Sequence, residues 1–368
     1  MNPAYMREAL ALARHGRALA SPNPMVGAVL VRAGEVVGRG FHTYAGVRHA
    51  EIIALAEAGE KARGATLYLN LEPCSHQGRT SPCADALIQA GVAAVVAPLE
   101  DPNPLVAGEG FRRLRAAGVE VHLAAEFAAE AEKLNEPFLH FMRTGRPLVT
   151  LKAAITLDGK ISAPDDNRGW ITSERARAHV QQLRHDHDAI VTGIGTVLAD
   201  NCLLTDRTGL PRCRSLLRLV MDSQLRLPLD ARMVTSAAGD VVVIATSASG
   251  AERRKALEAR GIEVLIMDGR GGRADFEGAV QWLARQRYLS LMIEAGSKIN
   301  WSVLDSGLVD RVFFYYGPKI LGGLEALPLA GGIGRRRRAD AIAVDRVTLH
   351  PIPPDEFAVE GYIVHRDR

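Results

Sequence analysis

Apolar positions along the first half of the chain alternate between helical spacing and short continuous runs. The first stripe has the spacing of a helix within residues 5–19 and consists of Met6, Leu10, Leu12 and Ala13. A strand-like run at 26–31, a turn at Ala33-Gly34 and a second run at 35–42 predict a β-hairpin. Further strands are predicted at 66–71, 92–97 and 119–123, with helices opening near residues 50, 83 and 107. Such alternation predicts a parallel-rich α/β domain.

A second α/β series follows a helical stretch at 126–142 and the segment Arg143-Thr144-Gly145-Arg146-Pro147. The glycine and proline of that segment indicate a domain boundary, so we expect domains at 1–145 and 146–368. Strands are predicted at 189–193, 216–221, 241–245, 264–267, 291–294 and 312–316, with helices at 174–184, 251–260, 275–287 and 299–306. Thr172 or Ser173 is the expected N-cap of the first of these helices.

Bulk composition narrows the class of protein. A chain of 368 residues is longer than a domain with one hydrophobic core usually is. Its composition, with 47% hydrophobic and 24% charged residues, is typical of a globular protein. No apolar run is long enough to span a membrane, and the N-terminus lacks the apolar core of a signal peptide. A net charge of +3 does not indicate nucleic-acid binding, and four cysteines fit a reducing cytosol. We therefore expect a cytoplasmic protein with neither membrane nor nucleic-acid partners.

The strongest chemical signal combines His49-Ala50-Glu51 with Pro73-Cys74 and Cys83. One imidazole and two thiolates can hold zinc, and three protein ligands leave a fourth position for a water that is readily deprotonated. Glu51 reaches the same site only if a helix begins there, and it could then carry protons. This is the zinc-deaminase signature, except that eight residues rather than two separate the cysteines. Asn23, between two prolines, and His42 are expected at the open end of the hairpin, where the Asn23 amide could contact a heterocycle.

Each part of this signal has a simpler interpretation on its own. A single His-x-Glu is common on surfaces, and buried cysteines often only pack in the core. A glycine turn such as Glu294-Ala295-Gly296 can bind phosphate at a helix start but is usually only turn geometry, and Gly193-x-Gly195-Thr196 is similarly weak. The run Arg335–Arg338 could bind nucleic acid or phosphate, although a solvated, mobile loop is the preferred interpretation. The conjunction of His-x-Glu with the two cysteines favours zinc.

Taken together, several motifs resemble one family over nearly the whole chain: the bacterial bifunctional riboflavin-biosynthesis deaminase/reductases. In the first half these are Pro22–Gly27, His49-Ala50-Glu51, Leu71–Thr80 and Asp101–Pro104. In the second half they are Leu157–Lys160, Trp170–Ser173, Gly195–Asp200 and Ile293–Gly296. The eight-residue gap between the cysteines is the spacing of this family.

The resemblance implies a cytidine-deaminase-like three-layer domain followed by a dihydrofolate-reductase-like domain. The first would remove the 2-amino group of 2,5-diamino-6-(5-phosphoribosylamino)pyrimidin-4(3H)-one. The second would use NADPH to reduce the ribosyl group, giving 5-amino-6-(5-phosphoribitylamino)uracil. Expected partners are therefore small phosphorylated pyrimidines, and a homo-oligomer is expected.

The resemblance also assigns roles to individual residues. His49, Cys74 and Cys83 would bind zinc, Glu51 would carry protons, and the deaminase pocket would contain Asn23, His42, His76 and Arg79. Contacts to NADPH would come from Ala154, Trp170, Thr196, Asp200, Ser223, Gly296, Ser297, Lys298, Ile299, Asn300, Trp301 and Ser302. Contacts to the reductase substrate would come from Lys152, Arg168, Arg184, Leu204, Arg207 and Glu294.

Two departures from the family pattern leave contacts open. Arg168 stands where members often have serine, and Cys202 stands where they have proline.

Two other functions compete with this assignment. A deaminase for another base with a degenerate second domain is disfavoured by Lys152, Asp200 and Glu294. A nucleic-acid-binding module using Arg335–Arg338 is disfavoured because no wider basic surface is evident.

Overall fold

The chain folds into two compact units. The computed structural model describes residues 2–76, 81–103, 107–165 and 168–365. The first unit comprises Met1–Arg146 together with Pro211–Arg214, and the second comprises Pro147–Leu210 and Ser215–Arg368. The sequence-based division at residue 145 does not include Pro211–Arg214 in the first unit. Within that unit the backbone N–H of Cys213 donates a hydrogen bond to the carbonyl of Ala18, at 2.9 Å.

The first unit contains one sheet and six α-helices in its described residues. In chain order its elements are α1 Pro3–Arg14, β1 Gly27–Arg32, β2 Glu35–Phe41, α2 Ala50–Ala58, β3 Thr66–Leu69, α3 Cys83–Ala90, β4 Ala94–Ala97, α4 Glu109–Ala116, β5 Glu120–Leu123, α5 Ala128–Leu134 and α6 Glu136–Thr144. The sheet order is β2-β1-β3-β4-β5. Strand β1 is antiparallel to β2 and β3, whereas β3, β4 and β5 are parallel.

Helices cover both faces of this sheet, which gives three layers. On one face α2, α3 and α4 bury alanine and larger apolar side chains, including Leu87, Phe111 and Leu114. On the other face Met6 and Leu10 of α1 pack with Phe127 and Ala131. Successive side chains of β1 enter these two cores in turn, which explains why its sequence is almost continuously apolar.

Glycines let α2 lie unusually close to β2. A Cβ on Gly40 would fall 2.1 Å from the carbonyl of Ala50, and one on Gly38 would fall 2.2 Å from that of Ala54. No side chain other than hydrogen fits at either position. This close contact fixes the start of α2, which carries His49 and Glu51.

The second unit is built on a nine-stranded sheet. Its elements are β6 Leu148–Thr156, β7 Lys160–Ser162, α7 Glu174–His185, β8 Ala189–Gly193, α8 Ile194–Asp200, β9 Leu217–Met221, α9 Arg232–Thr235, β10 Val241–Ala245, α10 Ala251–Glu258, β11 Glu263–Ile266, α11 Phe276–Arg285, β12 Ser290–Ile293, α12 Ser297–Asp305, β13 Arg311–Gly317, β14 Leu327–Pro328, β15 Val344–Ile352 and β16 Glu356–Ile363. The sheet order is β11-β10-β9-β8-β12-β6-β13-β16-β15, and β14 pairs with β7 separately.

In this sheet order, the seven strands from β11 through β6 to β13 are parallel to one another. Strands β16 and β15 extend the sheet with antiparallel pairing. From β8 the chain moves outward through β9, β10 and β11, and then returns to insert β12 between β8 and β6. The direction of winding therefore changes between β8 and β12. In open parallel sheets, ligands bind in the crevice beyond the carboxyl ends of strands at such a point.

Several predicted elements differ in extent from those observed. The predicted helix at 126–142 is divided into a short 3-10 turn, α5 and α6, because Asn135 leaves helical geometry and Pro137 lies in the first turn of a new helix. Ser173, one of the two expected caps, accepts a hydrogen bond from Ala176 N–H and caps α7. Among the described residues, every helix is too short or too polar to cross a membrane.

Candidate active sites

Three side chains converge at one point of the first unit. The Nδ1 atom of His49 lies 3.5 Å from the sulfur of Cys74 and 3.2 Å from the sulfur of Cys83. All three potential ligand atoms lie within 4.8 Å of one another. Two sulfurs and one imidazole nitrogen form a donor set suited to zinc, and three such ligands leave one coordination position for another group.

Helix ends bring these ligands together. His49 is the N-cap of α2, and Cys83 is the first residue of α3. Cys74 lies in the loop after β3, and its sulfur accepts a hydrogen bond from the backbone N–H of Cys83 at 3.3 Å. The N-terminus of α3 favours negative charge, and its first backbone N–H donates to the Cys74 sulfur, so a thiolate is stabilised at Cys74.

The two cysteine thiols have opposite pKa shifts. The hydrogen bond between their thiols lowers the pKa of Cys74 to about 4, and the same bond together with burial raises the pKa of Cys83. The hydrogen bond with Cys74 raises the pKa of His49. Zinc binding requires two thiolates and a neutral imidazole, so it would release the protons that these three groups hold.

Glu51 lies in the first turn of α2 with its side chain directed into the protein. The residue is only 3% exposed, although glutamate is usually found in solvent. Burial raises the pKa of its carboxyl, against the opposing effect of His49, which lowers it. A carboxyl with a raised pKa can hold and release a proton near neutral pH. The predicted helix start at His49 is confirmed, and it brings Glu51 to the ligand cluster.

The expected pocket residues Asn23 and His42 are in direct contact. The Asn23 amide nitrogen lies 3.0 Å from Nε2 of His42, and Nδ1 of His42 lies 3.0 Å from the carbonyl of Arg48. This pattern fits a neutral His42 with its proton on Nδ1. The His42 ring meets the His49 ring edge-on, with centroids 5.1 Å apart. Both predicted residues therefore lie beside the ligand cluster.

The remaining expected pocket residues follow Cys74. Within the described part of the chain, the buried Oγ of Ser75 and Nδ1 of His76 have no hydrogen-bond partner. Arg79, the fourth expected pocket residue, lies outside the described residues. An unsatisfied buried nitrogen on His76 is suited to a polar ligand.

In the second unit, a buried ion cluster lies at the carboxyl ends of the parallel strands. Lys152 of β6 donates to Oε1 of Glu294 at 3.0 Å, and Arg184 of α7 donates to Oε2 at 3.1 and 2.9 Å. Burial alone would raise the pKa of Glu294, but the two cations outweigh it and hold that pKa at about 2. The ionised form of Glu294, which accepts these hydrogen bonds, is therefore favoured at neutral pH.

Two further expected contacts lie in the loop after α8, and a third is the last residue of that helix. Leu204 is buried with a positive φ of 53°, a conformation that is uncommon for leucine. The guanidinium of Arg184 donates to the carbonyl of Thr205 at 3.0 Å and so holds this loop beside Glu294. Arg207 is largely exposed. Its pKa is lowered, first because part of its side chain is buried and second because the positive charge of Arg184 is nearby. Asp200 is the last residue of α8. Partial burial of its carboxyl, and to a smaller extent the negative charge of Glu294, raises its pKa.

The two glycine turns that the sequence singled out lie side by side. A Cβ on Gly193 would fall 2.3 Å from the terminal carbon of Ile299, and one on Gly296 would lie 3.8 Å from Oγ1 of Thr196. These turns follow β8 and β12, on either side of the change in winding direction. The arrangement matches the position expected for a cofactor crevice.

Side chains of α12 are largely engaged with a neighbouring segment. Ser297 donates to the carbonyl of Pro328 at 2.5 Å, and Asn300 donates to that of Leu329 at 2.8 Å. Trp301 packs so closely that a Cβ on Gly332 would fall 2.3 Å from its ring. Within the described chain no side chain caps the N-terminus of α12, so its backbone N–H groups are the parts best suited to bind an anion.

Other expected cofactor contacts are dispersed along the sheet. Trp170 is 66% exposed, and the Arg177 guanidinium lies 4.6 Å from its ring centroid. Ala154 is half-buried in β6, whereas Lys298 and Ser302 are exposed on α12. The hydroxyl of Ser223 accepts a hydrogen bond from the Ala274 N–H at 2.9 Å.

The structure also shows the surroundings of the two residues that depart from the family pattern and of the arginine run. Arg168 is exposed, and Cys202 is half-buried, with burial raising its thiol pKa to about 11. Arg335 forms an ion pair with Asp305 at 2.9 Å and lies over the Trp301 ring. Arg337 pairs with Asp340. The run is exposed, as expected, but two of its four arginines are paired within the molecule.

Family comparisons divide the chain as the motifs do. Residues 2–98 match the cytidine and deoxycytidylate deaminase zinc-binding region, and residues 147–350 match the RibD C-terminal domain. The riboflavin biosynthesis protein RibD of Actinobacillus pleuropneumoniae is 44% identical over 338 residues, covering 92% of this chain and 89% of the relative. RibD of Escherichia coli is 41% identical, covering 95% of this chain and 96% of the relative.

The chain belongs to the RibD family.

Solved RibD structures agree with this assignment over the full chain. An Acinetobacter baumannii RibD superimposes with a TM-score of 0.87 at 35% identity, covering 98% of both chains. A Thermotoga maritima diaminohydroxyphosphoribosylaminopyrimidine deaminase/5-amino-6-(5-phosphoribosylamino)uracil reductase superimposes with a TM-score of 0.83 at 33% identity, again covering 98% of both. The expected fold class and the bifunctional deaminase and reductase of riboflavin biosynthesis are thereby confirmed.

Some residues that organise the RibD sites were not singled out from sequence. Glu72 is buried beside Cys74, and Arg218 is almost completely buried beneath the loop that carries Leu204. A charged residue within an otherwise apolar, strand-like stretch was the signal available for both. Sequence alone could not show which backbone groups they bind.

Proposed function

We propose that the first unit binds one zinc ion through His49, Cys74 and Cys83 and deaminates the diaminopyrimidinone ribosyl phosphate named above. The observation that supports this most directly is the convergence of three ligand atoms beside a buried glutamate. When bound, zinc would activate the water whose oxygen enters the product. The family model for a deaminase zinc-binding region, which includes all three ligands, supports the same proposal.

Glu51 carries the protons of this reaction. Hydrolysis replaces the ring amino group by oxygen, consumes one water and releases one ammonia. Glu51 takes a proton from the water and delivers it to the departing nitrogen, so that it ends the cycle unchanged. Its burial and raised pKa suit both transfers.

The pocket beside Glu51 holds the pyrimidine. The Asn23 amide nitrogen is directed at His42, which leaves its carbonyl oxygen as the acceptor for a donor on the heterocycle. His76 offers an unsatisfied ring nitrogen. Arg79 would add a positive charge for the substrate phosphate.

In the second unit we propose reduction of the ribosyl group with NADPH as the hydride donor. The N-terminus of α12 and the turn after β8 would receive the cofactor, with Ala154, Trp170, Thr196, Asp200 and Ser223. Lys152, Arg184, Leu204, Arg207 and Glu294 would line the substrate site, and Arg168 would stand at its edge. Since Glu294 stays ionised, it orients hydroxyl groups of the sugar and is not a proton donor.

Metal analysis and ammonia release test the deaminase proposal. We expect one zinc per chain and ammonia release from the diaminopyrimidinone substrate, both of which are lost in Cys74→Ser. Full zinc content and full deamination in that variant would show that the ligands are wrongly assigned.

Comparison of NADPH and NADH tests the cofactor proposal, with the deaminated intermediate as substrate. We expect faster turnover with NADPH. Arg226 is the basic residue nearest Ser223 in the sequence, and its Nε lies 3.8 Å from Oδ1 of Asp222. Arg226→Ala therefore tests whether it contributes to that preference. Equal efficiency of the two cofactors would contradict the proposal.

A further inference from the structure

Glu72 is a buried acid whose carboxylate binds only backbone groups among the described residues. It is 4% exposed and lies between β3 and Cys74. Its two oxygens accept hydrogen bonds from the backbone N–H groups of Asp101, Gly108 and Phe111, at 3.0, 2.9 and 3.1 Å. Its own backbone N–H donates to the carbonyl of Leu99 at 3.1 Å.

These donors belong to two other segments of the first unit. Asp101 lies in the loop after β4, whereas Gly108 and Phe111 belong to the start of α4. The N-cap of α4 is Gly108, which has no side chain to satisfy the first N–H groups of the helix. Glu72 supplies that cap from a distant part of the sequence, and its negative charge suits the helix N-terminus.

Gly110 brings the same helix against the residue before Cys74. A Cβ on Gly110 would fall 2.1 Å from the carbonyl oxygen of Pro73. The first turn of α4 therefore rests directly on the peptide that joins Pro73 to Cys74. Glu72 on one side and Pro73 on the other attach this short segment to α4.

Cys74 is held from the opposite side by α3. Its carbonyl accepts a hydrogen bond from the N–H of Ala84 at 3.1 Å, and its sulfur accepts one from the N–H of Cys83 at 3.3 Å. Two helix N-termini thus fix the loop that carries this ligand. Within the described residues, the side-chain hydrogen bonds that attach this loop to α4 come from the Glu72 carboxylate.

We propose that Glu72 is a positioning residue for the zinc site: by binding the start of α4 it fixes Pro73 and hence the sulfur of Cys74. The inference rests on the proposed zinc function of His49, Cys74 and Cys83. Glu72 does not touch the metal or the substrate. Groups that orient metal ligands affect metal affinity by about 10–100-fold when they are changed.

Glu72→Gln is the direct test. Glutamine has the same shape, but its amide nitrogen must face at least one backbone N–H that the carboxylate accepted. We expect zinc affinity, measured by competition with a chromophoric chelator, to fall about 10–100-fold. With cobalt(II) in place of zinc, the thiolate-to-metal absorption band should weaken or shift.

Glu57→Gln is the matched control. Glu57 also accepts a backbone hydrogen bond, from Arg39 N–H at 2.8 Å, but it lies on the exposed side of α2. Zinc affinity and the cobalt spectrum of this variant should match those of the unaltered protein. A purely structural role for Glu72 would lower the urea midpoint equally with and without zinc, whereas we expect the stabilisation by zinc itself to shrink.

Gly110→Ala provides a second variant if Glu72→Gln does not fold. Its methyl group would fall 2.1 Å from the Pro73 carbonyl oxygen and 3.1 Å from Oε1 of Glu72. It therefore displaces the segment that Glu72 attaches to α4, and the same loss of zinc affinity is expected. Unchanged zinc affinity and an unchanged cobalt spectrum in either folded variant would overturn the proposal. Failure of the unaltered protein to bind zinc through Cys74 would instead remove the zinc function itself.

Discussion

Glu51 is the residue on which the deaminase proposal depends most. Because the proposal gives Glu51 proton transfer and not metal binding, Glu51→Gln should lower the deamination rate by about a hundredfold to ten-thousandfold. Zinc content, measured by atomic absorption, should not change. Glu57→Gln on the same helix is the control and should retain activity. Loss of zinc from Glu51→Gln would show that the carboxylate is itself a ligand.

Glu294 gives the second unit a defined response to acid. Its pKa is lowered to about 2 from an ordinary value of 4.5, so the folded state prefers the ionised form. The resulting stabilisation, about 3 kcal/mol at neutral pH, is present above pH 4.5 and is lost as the pH falls through about 2. The difference in the free energy of unfolding between the unaltered protein and Glu294→Gln should therefore shrink over this range.

Tryptophan fluorescence can follow that transition in the second unit, because Trp170, Trp282 and Trp301 all belong to it. Glu258→Gln is the control, since Glu258 is exposed and pairs only with Arg254 among the described residues. A stability difference for Glu294→Gln that stays constant between pH 5 and 2 would refute the assigned ion cluster.

The loop between α8 and β9 depends on one buried arginine. Arg218 of β9 is 1% exposed, forms two hydrogen bonds to Asp240, and donates to the carbonyl of Leu203 at 3.0 Å. Arg218→Ala should destabilise the second unit by about 3–5 kcal/mol, because it leaves Asp240 without its buried partner. Arg254→Ala, on exposed α10, should change stability by less than about 1 kcal/mol. Urea unfolding followed by tryptophan fluorescence distinguishes the two; equal effects would contradict this account.

Strand prediction from sequence succeeded best on short, continuous apolar runs and failed for the C-terminal strands β15 and β16. Strand β10 was predicted with its observed bounds because all five of its residues are buried and apolar. Strand β15 was missed because six consecutive residues from Val344 are exposed and carry no alternating pattern. The start of α2 was predictable because His49 and Glu51 can both reach one site only if a helix begins at that point. The contacts of Glu72 and Arg218 were not, since they join segments far apart in sequence.

For the whole molecule, the account assigns two reactions to two separate sets of residues. The zinc ligands and Glu51 lie in the first unit, and the proposed reductase residues lie in the second. Asp200→Asn removes a charge at the end of α8 and should slow reduction by about tenfold or more, the effect of losing one charge-assisted hydrogen bond. Deamination by this variant should remain normal. A loss of both activities with intact circular dichroism would contradict the division.

The most direct test of the central claim is mass-spectrometric identification of the products formed by Glu51→Gln. Given the diaminopyrimidinone substrate and NADPH, this variant should leave it almost unchanged. Given the deaminated intermediate and NADPH, it should form the ribityl product at the rate of the unaltered protein. Failure to reduce the supplied intermediate, with zinc content and circular dichroism intact, would show that the two reactions do not occur at independent sites.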